Sequence, residues 1–205
     1  MTVEAEICIV DDDADVLDSL QALMRAQGFA VEGYGSAETF LSAVEAGAQP
    51  SCIISDVRLT GMSGLDLQQQ LIARRVRAPL ILMTGHGDIT MAVNAIKAGA
   101  HDFLEKPFDT AALTAAVDGA LDKASRQQQA DRSREVIAER IGQLSQRQRE
   151  VMDLVVQGYS SKEIAIQLGI SPRTVETYRL WIMEKTGARN LAELVRMVMQ
   201  VEEAK

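Results

Sequence analysis

Five times within the first 123 residues, a short apolar run is followed by polar loop residues and then by apolar positions at three-and-four spacing. The runs cover residues 7–10, 52–55, 80–83 and 103–104, with a weaker one at 30–34. The helical patterns fall near residues 15–26, 37–45, 64–74, 89–98 and 110–123. A strand that is apolar along its whole length has to be covered on both faces, and a helix after every strand supplies that cover. The repeated βα unit therefore predicts an α/β domain with a five-stranded, doubly wound parallel sheet. Such sheets bind ligands at the carboxyl ends of their strands, which is where chemistry is expected.

The back half follows another rule. From Leu144 onward no strand pattern occurs, and four helices fit residues 146–157, 161–168, 172–185 and 191–200. Gly158, Gly169 and Gly187 each fall just past a helix end, where a left-handed residue is favoured. Between the halves, ASRQQQADRSREVIAER (124–140) has no Gly or Pro and is rich in Gln, Arg and Glu. It reads as a linker that either continues the preceding helix or is flexible coil. The organisation expected is one domain over 1–123, a linker over 124–142 and a separate all-α four-helix domain over 143–205.

Charge divides the same way. Residues 1–123 carry 8 Lys+Arg against 18 Asp+Glu, and residues 124–205 carry 13 against 11. That implies two domains with different partners, although so small a basic surplus does not by itself define a nucleic-acid binder. With 47% hydrophobic and 24% charged residues, a disordered or low-complexity chain is excluded. No apolar run approaches the roughly 18 residues of a membrane span. The start, MTVEAEICIVDDD, lacks the basic region of a secretory signal, so the expectation is a cytoplasmic protein with no membrane partner. Cys8 and Cys52 lie in strand-like runs and are expected to be reduced core residues.

Four strand ends carry chemistry. Asp11, Asp12 and Asp13 follow the first strand directly, Asp56 follows the third, the fourth ends in Thr84 and the fifth in Lys106. If strand one lies beside strand three, the carboxylates converge and must be neutralised by protons or a cation. All-oxygen ligands with open positions suit Mg²⁺. A carboxylate, a divalent cation, a hydroxyl and an ammonium together make a site for a transferable phosphoryl group, the carboxylate being the nucleophile. Each residue also has an ordinary reading: Asp13 or a neighbour as a helix N-cap, Asp56 and Thr84 as turn residues, Lys106 as an exposed lysine. Their coincidence at successive strand ends of one domain favours the site.

IVDDD, SDVRLTGMSGLD, ILMTGHGD and AIKAGAHDFLEKPF resemble the receiver domain of bacterial two-component response regulators, most closely the FixJ type, over about residues 6–121. The resemblance implies a flavodoxin-like (βα)5 fold in which Asp56 accepts a phosphoryl group from a sensor histidine kinase. It implies that Asp11 and Asp12 hold Mg²⁺ with Asp56 and the backbone carbonyl of Arg58. Thr84 would be the switch hydroxyl, Lys106 the phosphate-binding lysine and Phe103 the switch aromatic. The bond between Lys106 and Pro107 is a candidate cis peptide. His86 and His101 match no functional position and are read as structural or surface residues.

SSKEIAIQLGISPRTVETYRLWIMEKTG reads as helix, short turn, helix, with Ile164, Ala165 and Leu168 facing inward and Ser171 capping a helix that opens on Pro172. At 100° per residue, Val175, Tyr178 and Ile182 group on the core side of that second helix, with Arg173, Thr177, Leu180 and Glu184 opposite and Glu176 beside them. Residues 144–199 are similar to a LuxR/FixJ-type helix-turn-helix domain. The resemblance makes residues 172–185 the recognition helix, with Glu176, Thr177 and Leu180 at base-reading positions. Lys162, Arg173, Thr174, Arg179 and Lys185 would be phosphate contacts. Leu180 and Trp181 make the helix unusually apolar for a groove reader, so either could instead pack on a partner.

The combined expectation is a phosphorylation-activated transcriptional regulator, of activator type, that forms a homodimer when phosphorylated. Its expected partners are promoter double-stranded DNA and RNA polymerase. It is not expected to be an enzyme beyond slow self-dephosphorylation of the aspartyl phosphate. The first rival is a helical output domain that binds protein or RNA. The second, a phosphatase or phosphotransferase, would need a general acid where Arg58 stands and a substrate cap that no insertion supplies.

Overall fold

The computed structural model describes residues 6–85 and 89–202. Five strands, β1 (Glu6–Val10), β2 (Ala30–Tyr34), β3 (Cys52–Asp56), β4 (Leu80–Thr84) and β5 (Asp102–Glu105), form one sheet in the order β2-β1-β3-β4-β5. Every pairing is parallel. β1 does lie beside β3, the condition on which convergence of the carboxylates rested. β3 and β4 each run one residue further than their apolar runs. The ladder pairs Asp56 with Met83 and Thr84 with Glu105, so both polar residues are the last rungs of buried strands.

The strand period of two sorts the apolar residues onto two faces. Cys8, Val10, Ile53 and Leu82 join one core with Phe40, Leu67 and Ala95. Ile7, Ile9, Ile54, Ile81 and Met83 join the other with Leu20, Met24, Leu113 and Val117. The helices that supply these faces are α1 (Ala14–Ala26), α2 (Ala37–Glu45), α3 (Gly64–Ala73), α4 (Ile89–Lys97) and α5 (Thr110–Gly142). Cys8 and Cys52 fall in opposite cores, and burial pushes both thiols up to about 12, so they stay neutral. His101 is partly buried, with burial followed by the nearby Lys123 charge lowering its pKa. His86 lies outside the described residues.

α5 is one helix of 33 residues that absorbs the whole expected linker. The chain divides into two compact units after Gln127, within this helix. Its last turns are more than a connection, because Ile137 is buried in the core of the second unit, with Ile141 packed against that core. The end of the expected linker thus also packs into the second core. Val136 and Ile137 stand in a charged stretch that masks a half-apolar face.

The second unit adds α6 (Gln146–Val156), α7 (Ser161–Leu168), α8 (Pro172–Thr186) and α9 (Leu191–Glu202). Its helix starts are strongly specified. Ser145 and Ser160 close capping boxes with Gln148 and Glu163, and Ser171 caps α8 with Pro172 in the first turn. Gly169 and Gly187 end α7 and α8 at φ 64° and 76°, a conformation that would strain a side chain. Val151, Ile164, Val175, Ile182 and Leu194 fill the core. Among the described residues, no helix is long and apolar enough to cross a membrane.

One glycine connects the fold to the site. α3 begins at Gly64, whose capping residue Ser63 shares a reciprocal bond set with Asp66. A Cβ at Gly64 would overlap the backbone carbonyl of Asp56 and lie 3.0 Å from the Cα of Val57. Gly64→Ala is therefore expected to push α3 off the end of β3 and to lower stability by about 1–3 kcal/mol, measured by urea unfolding. Unchanged stability would show that this close approach can be relieved freely.

Candidate functional site

The ends of β1, β3, β4 and β5 bring four of the singled-out side chains to one edge of the sheet. Asp11 is 2% exposed, Asp56 is 8% exposed and Thr84 is fully buried. The Lys106 ammonium stands between the two carboxylates, donating to Asp11 Oδ2 at 3.0 Å and to Asp56 Oδ2. The Lys106 N–H donates to the Thr84 carbonyl at 2.7 Å, which fixes its backbone at the strand end; the peptide to Pro107 is cis, as expected. The other Asp56 oxygen, Oδ1, accepts from the Arg58 N–H at 2.6 Å. Asp11 Oδ1 accepts from the Asp13 N–H at 3.0 Å, while Asp13 caps α1 through the N–H groups of Asp15 and Val16.

These contacts set the electrostatics. Burial raises the Asp11 carboxyl above its ordinary value, against the opposing hydrogen bond from Lys106. Burial pulls Lys106 down, but the bonds from Asp56 and Asp11 outweigh it and leave the group raised, hence firmly an ammonium. Asp12 behaves differently. It is exposed, and its Oδ2 accepts from both the N–H of Thr60, at 2.9 Å, and the Thr60 hydroxyl. The Thr60 hydroxyl, more than any other partner, holds the Asp12 carboxyl below the usual range.

The three expected metal carboxylates are thus not gathered into one cluster. Among the described residues no group of three acids or other ligands is close enough to hold a metal as it stands. Asp11 and Asp56 share Lys106, and Asp12 is turned to Thr60. The donor chemistry still suits Mg²⁺: oxygens only, from carboxylates at a wet edge where several waters can remain. Phe103 is partly buried and packs against the core that includes Leu82, Ala95 and Ala100.

Three contributors escaped the sequence reading. Thr60 is one. The second is Glu38, whose Oε1 accepts from the Met62 N–H at 3.0 Å and ties α2 to the loop after β3. The third is Gln68, buried on α3 and donating to the Ala95 carbonyl of α4 at 2.9 Å. Only Gln68 left a signal, a polar residue on the inward face of an amphipathic helix.

In the second unit, α8 presents the expected face. Arg173, Glu176 and Leu180 are exposed, and Val175 and Ile182 are buried on the other side. Leu180 is 71% exposed, and Trp181 stands beside it with its ring edge-to-face with Tyr178, centroids 5.7 Å apart. Several polar groups already have partners. Glu176 accepts from the Ser161 hydroxyl, which Arg179 approaches at 3.4 Å. The Thr177 hydroxyl donates back to the Arg173 carbonyl at 3.1 Å, and Thr174 shares a bond with Ser171. Lys185 spends two of its three N–H groups on the Gln143 carbonyl, at 3.2 Å, and on Gln148 Oε1, at 3.0 Å. Lys162 is exposed on α7.

An acidic pocket bridged by a lysine at the edge of a doubly wound sheet, followed by a helix-turn-helix unit, defines a two-component response regulator. Comparison with known families agrees. Residues 7–118 match the response regulator receiver domain, and residues 142–198 match the bacterial regulatory proteins of the luxR family. The chain belongs to the response regulators of the FixJ type, with a receiver domain and a LuxR-type DNA-binding domain. It is 47% identical to the transcriptional regulatory protein FixJ of Azorhizobium caulinodans, over 93% of this chain and 90% of that one. It is 41% identical to the response regulator protein TodT of Pseudomonas putida, over 97% and 87% respectively. Among solved structures, the response regulator StyR aligns with TM-score 0.81 at 38% identity, over 97% of this chain and all of that one. Full-length FixJ from B. japonicum aligns with TM-score 0.61 at 40% identity, over 98% and 99%.

The raised Asp11 carboxyl makes a signed prediction. An acid whose folded pKa lies above its unfolded one destabilises the fold while ionised, and the penalty vanishes as pH falls below the ordinary carboxylate value. Asp11→Asn is therefore expected to melt a few degrees above wild type at pH ~7.5, the gap closing toward pH ~4. A variant that melts lower than wild type at neutral pH would mean that the bond to Lys106 outweighs burial.

Proposed function

We propose that this chain accepts a phosphoryl group on Asp56 from a sensor histidine kinase and then dimerises, binds promoter DNA and activates transcription with RNA polymerase. The observation that carries this reading is the Lys106 ammonium placed between Asp56 and Asp11 at the sheet edge. In the transfer, an Asp56 carboxylate oxygen forms a bond to phosphorus as the bond from phosphorus to the donor imidazole nitrogen breaks. The lone pair stays on that nitrogen. Lys106 remains protonated and is placed to neutralise a phosphoryl oxygen, and Thr84 supplies a hydroxyl at the neighbouring strand end, so positioning and charge do the work.

Asp11, Asp12, Asp56 and the Arg58 carbonyl are the residues that would hold Mg²⁺. When bound, the ion supplies positive charge to the phosphoryl oxygens. Accepting phosphate draws Lys106 and Thr84 toward the new charge, and Phe103 repacks behind them. This reshapes the face built from α4, β5 and the start of α5. Ile89, Val93 and Ile96 form an exposed apolar stripe on α4, a surface fitted to a second copy of the chain. Phosphate shifts the equilibrium only by its preference for the active form. Water attacking the same phosphorus returns the carboxylate slowly, with the exposed Arg58 beside it. The domain division proposed is 1–123, a helical connection over 124–142 and 143–205, in a cytoplasmic protein.

On the output side, Arg173, Lys162, Thr174, Arg179 and the remaining N–H of Lys185 are proposed to meet phosphates. Glu176, Thr177 and Leu180 face base edges, a carboxylate suiting a cytosine amino group and apolar groups a thymine methyl. The test pairs wild type with Asp56→Asn, each given Mg²⁺ and a small phosphodonor, then followed for mass and for DNA binding at two salt concentrations. The expected result is dimerisation and sequence-selective, salt-sensitive binding by wild type alone. Equal phosphorylation of the Asn variant would overturn the acceptor, and phosphorylated wild type without selective duplex binding would overturn the output assignment. Arg173→Ala is expected to weaken binding alike across sequences and to reduce the slope of log affinity against log salt by about 1.

A further inference from the structure

Thr60 sits in the loop between β3 and α3, four residues after Asp56, and nothing in the proposed transfer uses it. Its geometry is nevertheless specific. Its N–H and its hydroxyl both donate to the same oxygen of Asp12, Oδ2. The donors are presented by a loop that is itself tied down. Glu38 Oε1 accepts from the Met62 N–H at 3.0 Å, and Gly61 between them takes φ +85°, with space for a Cβ closed off by Glu38. At the loop's other end, Arg58 donates to Asp56 at 2.6 Å. Thr60 is exposed, and its hydroxyl donates to Asp12.

The acceptor matters more than the donor. Asp11 and Asp56 already share Lys106, while Asp12 accepts from Thr60. An oxygen that accepts two hydrogen bonds offers less of its charge to a cation, and a carboxylate must shed those bonds to turn. We propose that Thr60 is a positioning residue that holds Asp12 in a cation-free arrangement, so that Mg²⁺ must displace the Thr60 hydroxyl to recruit this carboxylate. The inference deepens the proposed function and rests on the reading that Asp12 is a metal ligand. Thr60 thereby sets the Mg²⁺ concentration at which the pocket becomes competent to accept phosphate.

The test measures binding of the ion itself. Full-length wild type, Thr60→Val, Thr60→Ser and Asp12→Asn are titrated with MgCl2 by isothermal calorimetry, with no phosphodonor present. Valine keeps the N–H and the shape but removes the hydroxyl, and serine restores the hydroxyl. Thr60→Val is expected to bind Mg²⁺ about three- to tenfold more tightly than wild type, the scale of one solvent-screened bond to a carboxylate. Thr60→Ser is expected to return to the wild-type affinity. Weaker or equal binding by Thr60→Val overturns the proposal, as does a serine variant that behaves like valine. If Mg²⁺ binds wild type and Asp12→Asn equally, Asp12 is not a ligand; the metal reading of that residue fails, and this inference fails with it. Because Thr60 is exposed, the variants are checked for wild-type melting without Mg²⁺. Should valine melt early, Thr60→Ala supplies the same loss of hydroxyl.

Discussion

One ammonium stands between two carboxylates that the sheet forces together. Parallel strands β1 and β3 are hydrogen-bonded neighbours, so the acids that follow or end them arrive side by side whatever their charge. Both are nearly buried, and two ionised carboxylates in such a place would repel strongly. Lys106 relieves this from the far end of the sheet, across β4, and only the parallel order β1-β3-β4-β5 lets it reach both. Removing Lys106 would leave the two carboxylates facing each other without that charge. The residual strain is visible in Asp11, which burial keeps above its ordinary pKa even with the lysine in contact. A pocket left short of positive charge is one that a cation and a phosphoryl group can complete.

The loop after β3 makes that pocket responsive. It is fixed at both ends, by Arg58 on Asp56 and by Glu38 on Met62, and between them it reaches back to Asp12 through Thr60. The close start of α3 at Gly64, against the Asp56 carbonyl, leaves the loop little slack. Any new ligand at Asp56 or Asp12 therefore acts on the loop and on α3. From α3, the buried amide of Gln68 holds the Ala95 carbonyl, which lies on the same helix as the exposed apolar stripe. These contacts link the loop beside the acids to α3, and α3 to α4.

Much of this was legible in the chain. Uninterrupted apolar strands with a helix after each specify a covered parallel sheet, and four polar residues at its strand ends specify the edge that matters. Thr84 ends the fourth strand as expected, but the third runs one residue further, through Asp56, and the fifth stops at Glu105, one short of Lys106, because hydropathy marks side chains while backbone pairing sets the ladder. That the end of the linker packs into the second core was hidden, because Ile137 sits among charges. Thr60 and Glu38 could not be read at all, and Gln68 showed only as a polar residue on the inward face of α3. Their partners are 48, 24 and 27 residues away in sequence, and hydrogen bonds of that reach leave no periodic trace. The orientation of Asp12 is the sharpest case: composition placed the carboxylate at the site, but only the loop geometry shows which way it turns.

Charge also explains why the output unit needs a switch. The whole chain carries a formal −8, set almost wholly by the front half, while the back half is barely basic. In the proposed reading, binding that relies on phosphate contacts and counterion release is weak for a single copy, since the acidic half would repel the same polymer that Arg173 and Lys162 would attract. As the proposed reader, α8 would compound this, for Glu176, Thr177 and Lys185 hold internal partners and Leu180 offers no hydrogen bond. A weak reader of this kind gains most from being linked to a second one, because the second half-site is then met at high effective concentration. In the proposed reading, phosphorylation acts through that linkage: it need not alter α8, only make two copies of it arrive together.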